Sequence, residues 1–223
     1  MPALERDGDV YVLDLGDGEN RFSPDWVGAV TAALDEVAGA DGPRALVTRA
    51  RGKFWSNGLD LDWMGAHPDD AGPFVDDVHA LLARALSLPV HTVAACQGHV
   101  FAAGAMLALA HDVRVMRADR GFFCLPEVDI HIPFTPGMAA LIQARLSHRT
   151  AHEAMTTGRR YGGTEALEAG IVDDAVGEDE VLSRAVERAA ALAGKASPAL
   201  GAIKEGMYPH ALQLLRTPQT GRV

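Results

Sequence analysis

Three short stretches carry residues whose types and spacing could do chemistry. Residues 98–104 run Gly-His-Val-Phe-Ala-Ala-Gly, a glycine-bearing turn between an extended apolar run (90–95) and an Ala/Leu/Met-rich helix pattern that reaches Asp112. A turn of small residues at a helix start leaves backbone N–H groups unpaired and aimed outward. Ala102, Ala103 and Gly104 are small enough to let another molecule approach that backbone, which is how main chain alone holds an oxyanion. A tightly packed core helix is the other reading of the same residues. A second glycine turn, Ser-Asn-Gly-Leu-Asp at 56–60, also follows a strand-like run. The third feature is Glu127, which follows an apolar run (122–125) and Pro126 and precedes Val128 and Ile130. A carboxyl in such surroundings has its pKa raised by desolvation, which suits it to take and return protons near neutrality. A surface glutamate at a strand end is the alternative.

Most other signatures are missing. The sequence has no glycine loop ending in Gly-Lys-Ser/Thr, no Gly-x-Gly-x-x-Gly after a strand and no Gly-x-Ser-x-Gly elbow. His148 and His152 stand four apart on a predicted helix, but with Arg149 between them and no further ligand implied they read as solvated side chains, and no metal is expected. Cys96 and Cys124 lie in apolar runs without metal-like spacing and read as reduced core residues.

The elements that must position these residues alternate between strand and helix. Strands are predicted at 10–15, 44–50 and 113–116, with a turn and short strand at 170–173. Helices are predicted at 26–37, capped by Ser23 with Pro24 in the first turn, and at 74–88, stopping before Pro89. Further helices follow at 137–146, 150–157, just after 162–164, 181–193 and 198–215, while 51–64 and the polar 68–73 read as loops, the latter mobile. That order is α/β with a helical C-terminal portion, and no internal sequence repeat is visible.

Bulk properties narrow the partners. A chain of 223 residues with 48% hydrophobic content can bury one full core. The net charge of −10 argues against nucleic acid or an anionic membrane surface as the main partner. No signal peptide, spanning segment, or peroxisomal or lipidation address is read, so a cytoplasmic protein is expected.

Residues 53–61, Lys-Phe-Trp-Ser-Asn-Gly-Leu-Asp-Leu, resemble the first oxyanion motif of the enoyl-CoA hydratase/isomerase (crotonase) superfamily. Residues 97–114, from Gln97 through the Ala102-Ala103-Gly104 triplet to Asp112-Val113-Arg114, resemble the second. The similarity runs in register from Val10 to Lys204, including Ala-Leu-Glu-Ala-Gly-Ile-Val-Asp at 166–173 and Ser197-Pro198 before Lys204. The resemblance implies a crotonase-like ββα spiral core over residues 1–195 with a short helical segment at 196–223. It also implies an acyl-CoA thioester substrate, no cofactor apart from the coenzyme A of the substrate, and a homo-oligomer, trimer or hexamer. Carried over position by position, the N–H groups of Leu59 and Ala103 would hold the thioester oxygen. Leu59, Asp60, Leu61 and Asp62 would line the adenine site, with Ala103 also against the coenzyme A ester. Arg51 and Lys53 would contact phosphates or simply stand in solvent.

Departures from the pattern bear on the reaction. Hydratases of the superfamily use two glutamates to add water; the first position is Met106 here and the second maps to Glu127. Keeping only the second resembles the delta(3)-delta(2)-enoyl-CoA isomerases, which implies proton transfer by Glu127 alone. Phe101, Met106 and Trp63 read as packing residues or acyl-chain readers. Two alternatives remain: a hydratase or lyase in which Asp129, His131 or Asp60 recruits the water, and a non-catalytic acyl-CoA binder. A Clp-type serine peptidase, which shares the spiral, is excluded because its serine position falls on Ala102-Ala103-Gly104. Typical members continue several tens of residues further, so the helices that cover the site and build the trimer are expected to be shortened.

Overall fold

Alternating strands and helices build the fold, described for residues 1–218 by a computed structural model. The chain starts with a hairpin of β1 (Ala3–Asp7) and β2 (Val10–Asp14), then α1 (Pro24–Gly39) and β3 (Ala45–Arg49). Next come β4 (Phe54–Ser56), α2 (Leu61–Ala66), α3 (Ala71–Leu86), β5 (His91–Cys96), β6 (His99–Phe101) and α4 (Ala103–Ala110). β7 (Val113–Arg117) and β8 (Phe123–Cys124) lead through a 3-10 turn, Pro126–Val128, to α5 (Pro136–Arg145), α6 (His148–Thr157) and α7 (Gly163–Glu168). The described chain closes with β9 (Asp174–Val176), α8 (Val181–Ala190), α9 (Pro198–Met207) and α10 (Pro209–Leu215).

Two sheets result. The larger has the order β1-β2-β3-β5-β7-β9, parallel except for the β1–β2 hairpin, and the smaller is parallel β4-β6-β8. Three times the chain passes from a large-sheet strand to a small-sheet strand and on into a helix, which is the expected ββα spiral. Both faces of the large sheet are covered, as parallel sheets require. Along β3 and β5, Ala45, Val47, Val93 and Ala95 pack under α8, where Val181, Ala185 and Ala189 recur at helical spacing. The intervening Leu46, Ala94 and Cys96 face the main core, shared with α1, α3, α4, α5 and α10. Cys96 and Cys124 are free and buried, and burial pushes their thiols up to about 12 and about 11. No helix among the described residues is long and apolar enough to cross a membrane.

Several sequence expectations are corrected. The loop expected at 51–64 contains β4 and α2, and a three-residue strand, β6, precedes the central helix. The helix expected at 74–88 begins at Ala71, inside the segment expected to be a mobile loop. The short strand near 170–173 lies at Asp174–Val176, and the helix from Val181 ends at Ala190. The single helix expected at 198–215 is two, because Pro209 lacks the N–H needed to continue α9 and instead opens α10. Residues 219–223, which include the stretch read for a C-terminal address, lie outside the described residues.

Candidate active site

The site begins where β4 and β6 end. After Ser56 the chain turns through Asn57 and Gly58, and Phe22 bridges alongside: its N–H donates to Gly58 O at 2.8 Å and its carbonyl accepts from Asp60 N–H at 3.0 Å. Between those two bonds the Leu59 N–H meets no acceptor among the described residues. After β6, Ala102 adopts φ 51, ψ −127, a conformation that costs an alanine of order 1–3 kcal/mol. It is held there by its own N–H donating to Cys124 O at 3.1 Å and its carbonyl accepting from Met106 N–H at 3.1 Å. The kink makes Ala103 the first residue of α4, so its N–H is one of the unpaired donors of a helix start.

Two glycines let the turns touch. A Cβ on Gly58 would stand 2.9 Å from Ala103 N and 2.8 Å from Ala102 Cβ, and one on Gly104 would stand 2.7 Å from Ser56 Cβ. The far end of α4 is fixed as firmly. Arg145 donates to Leu109 O and His111 O at 2.8 Å each, and His111, held neutral by burial at about 4, bridges Leu107 O and Thr48 Oγ1.

In front of these turns lies a cavity of about 230 Å³ lined by Asn57, Leu59, Leu61, Met64, Val75, Phe101, Ala102, Ala103, Met106, Pro126, Glu127, Ile130, Ile132, Pro133, Phe134, Thr135 and Met138. Glu127 is its one carboxylate among the described residues. The 3-10 turn places that side chain 6% exposed, with Oε2 buried and unpartnered among the described residues, and desolvation raises its pKa to about 7. Its backbone carbonyl accepts from Ile132 N–H at 3.0 Å, which folds the following loop back so that Ile130 and Ile132 rim the cavity, each more than 40% exposed.

The cavity brings together Leu59, Leu61, Phe101, Ala103, Met106 and Glu127 among the residues singled out from the sequence. Others point elsewhere. Asp60 caps α2 by accepting from Trp63 N–H at 3.1 Å, and Asp62 is exposed in an ion pair with Arg21 at 2.6 Å. Trp63 packs against Phe74 and His67 rather than lining the cavity. Arg51 pairs with Asp14 at 3.1 Å, and Lys53 lies over the Phe54 ring. Asp129 and His131 are exposed, and neither they nor Asp60 line the cavity. His148 and His152 both sit on α6, and no group of three or more metal-ligating side chains is placed to hold an ion among the described residues.

Much of the apolar wall carries no signature in the sequence. Beyond Phe101 and Met106, the alternation Val128, Ile130, Ile132 is a local trace, and it reads as strand rather than as the rim of a cavity. Met64, Val75, Phe134 and Met138 come from α2, α3, the α5 approach and α5, and only the packing of those elements puts them together.

Known proteins resemble this chain in sequence and in fold. Residues 5–220 match the family described as enoyl-CoA hydratase/isomerase. The chain is 36% identical to the peroxisomal enoyl-CoA delta isomerase 2 of Arabidopsis thaliana, covering 96% of this chain and 95% of that protein. The shortening expected against typical members therefore does not separate it from this relative. It is 37% identical to the carnitinyl-CoA dehydratase of Escherichia coli, over 72% of this chain and 61% of the other. Among solved structures, an enoyl-CoA isomerase of Mycobacterium tuberculosis superposes with a TM-score of 0.88 at 30% identity, covering 96% of this chain and 94% of that one. The human mitochondrial delta3-delta2-enoyl-CoA isomerase gives a TM-score of 0.88 at 25% identity, covering 95% and 84%. Matched along nearly its whole described length, in sequence and in fold, the chain is an enzyme of the enoyl-CoA hydratase/isomerase family.

Proposed function

We propose that the protein converts 3-enoyl-CoA thioesters to 2-trans-enoyl-CoA, with Glu127 as the only base. The carrying observation is one desolvated carboxylate in a cavity whose other polar side chains are uncharged, with the buried Met106 where a hydratase of the superfamily has a second glutamate. The ionised Glu127 takes a proton from carbon 2. The carbon–hydrogen pair becomes a dienolate, whose oxygen rests on the Leu59 and Ala103 N–H groups. Protonated Glu127 then delivers the same proton to carbon 4, and the double bond settles between carbons 2 and 3. Each N–H contributes on the order of 3 kcal/mol when the negative charge develops. Met106 and Phe101 keep the wall apolar, so there is no second carboxylate to hold an attacking water. No cofactor enters the scheme, and coenzyme A arrives as part of the substrate. In this reading the enzyme works as a homo-oligomer in the cytoplasm.

The match to a dehydratase favours a second reading, in which the family's hydration chemistry is retained. One absorbance assay separates the two. Under the isomerase reading, 3-hexenoyl-CoA gains the absorbance of a conjugated thioester while crotonyl-CoA is left unchanged. Loss of crotonyl-CoA absorbance would establish hydration instead. Glu127→Gln is expected to lower the isomerase rate by about a thousandfold, within the usual span for a general base, and an unchanged rate would overturn the assignment.

A further inference from the structure

Three polar side chains line the cavity, Asn57, Glu127 and Thr135, and of the two that the scheme above leaves unused only Thr135 is held by a buried partner. Thr135 caps α5, its Oγ1 accepting from Met138 N–H at 3.2 Å. The same oxygen lies 2.7 Å from Nε2 of His79, a residue of α3 that is wholly buried. The other ring nitrogen, Nδ1, has no hydrogen-bond partner among the described residues. Burial lowers the His79 pKa against the opposing charge of Asp76, so the neutral ring carries a single N–H.

That single proton has two places to sit. On Nδ1 it would be a buried donor with no acceptor, the arrangement protein interiors tolerate least. On Nε2 it donates to Thr135, leaving only a bare lone pair at Nδ1. With Nε2 as donor, both lone pairs of the Thr135 oxygen are taken, one by Met138 N–H and one by His79. Among the described residues the hydroxyl proton of Thr135 then has no acceptor, and it is left to the cavity. The N-terminus of α5 adds partial positive charge at the same point. A plain alkyl chain offers this donor nothing.

We propose that Thr135, oriented by His79, donates a hydrogen bond to an oxygen on the substrate's acyl chain, so that enoyl-CoA thioesters bearing a hydroxyl or carbonyl oxygen beyond the reacting carbons are preferred. Thr135 is then a specificity-determining residue and His79 a positioning residue. The inference rests on the isomerase reading for its substrate class.

The test uses pairs of 3-enoyl-CoA thioesters of equal length, with and without a hydroxyl placed at successive carbons past carbon 5. Wild type, Thr135→Val, Thr135→Ser and His79→Phe are compared with KM and kcat read separately, and saturated acyl-CoA pairs are titrated by calorimetry. Wild type is expected to favour one hydroxylated isomer about tenfold, mainly through KM, as one net hydrogen bond allows. Thr135→Val should erase the ratio, Thr135→Ser keep it, and His79→Phe reduce it while plain chains are still turned over. A contact serving only to tie α3 to α5 would instead change both substrates alike. Equal wild-type turnover of every pair, or a ratio that survives Thr135→Val, overturns the proposal and leaves the isomerase standing. If no 3-enoyl-CoA is turned over, the isomerase reading falls and calorimetry decides: tighter binding of a hydroxylated chain, weakened in His79→Phe, supports the proposal, and equal binding overturns it. Should Thr135→Val fail to fold for want of its cap, the wild-type ratio and His79→Phe carry the decision.

Discussion

Glu127 carries two properties that conflict. Desolvation raises its pKa from 4.5 to about 7, which would match a base to neutral pH, yet the ionised form that the proposed isomerisation uses is the form the buried site disfavours. The isomerase rate constant kcat/KM should therefore fall about tenfold per pH unit below 7 and level off above it, which a pH–rate profile on 3-hexenoyl-CoA would read. A flat profile between pH 5 and 8 would remove the titrating base. Stability should move the opposite way. A raised folded-state pKa gives stability that is present in full below the unfolded value and lost as pH rises through the folded one. At pH 8 Glu127→Gln should be more resistant to denaturant than wild type, by on the order of 3 kcal/mol at most, with the advantage shrinking towards pH 4. The residue's type and neighbours were legible in the sequence, because Pro126 and the apolar run before it announce burial. Its unpartnered Oε2 was not, since that depends on what α5 and the preceding loop leave uncovered.

Among the elements, α4 matters less for its sides than for its first peptide. Both glycine turns could be found from sequence because residues 53–61 and 97–114 resemble the two oxyanion motifs of the superfamily. The strands that feed them could not: β4 and β6 are three residues each, too short for a period, and exist by pairing with neighbours. The same contacts make the turns fragile. Gly58 has φ +81 and its Cα faces Ala103 N, so Gly58→Ala meets both a disfavoured backbone and a collision with the other turn. The expected result is a loss of about a hundredfold in kcat, the scale of one lost oxyanion donor, together with lowered melting, since the backbone nitrogen that the new Cβ meets cannot swing aside. A Gly58→Ala enzyme with unchanged kcat would show that the two turns do not act together. Ser23, Thr135, Ser147 and Ser197 each cap a helix with their side chains, but Tyr208 does not, and there the predicted helix divides.

Across the whole molecule, the cavity is assembled from parts that share no local signal. Its wall draws on residues from Asn57 to Met138; residue types and the family resemblance point to the two turns and Glu127, but nothing local points to most of the apolar lining. Late in the sequence, one buried charged side chain ties α9 back to the large sheet. Lys204 on α9 is 4% exposed and reaches back to Val90 O at 2.8 Å and Asp112 Oδ2 at 2.6 Å, where β5 begins and β7 follows α4. Burial alone would raise the Asp112 pKa, but Lys204 and the Thr92 N–H outweigh it and hold the carboxyl below its usual range. Lys204→Met leaves that carboxylate without its partner and should cost about 3–5 kcal/mol in denaturant unfolding at neutral pH. Because a lowered carboxyl pKa lends stability that is lost as pH falls through it, the variant should also lose part of wild type's extra sensitivity to acid.

The same latch sets an order on the molecule's birth. Lys204 lies 114 residues after the strand start it secures, and chains are made from the N-terminus at about 5–20 residues per second. For roughly ten seconds the ribosome has already delivered both glycine turns and Glu127, while the lysine that clamps their scaffold does not yet exist. An unfinished chain therefore holds both turns and Glu127 without the lysine that braces the sheet behind them, and the finished frame arrives only with α9.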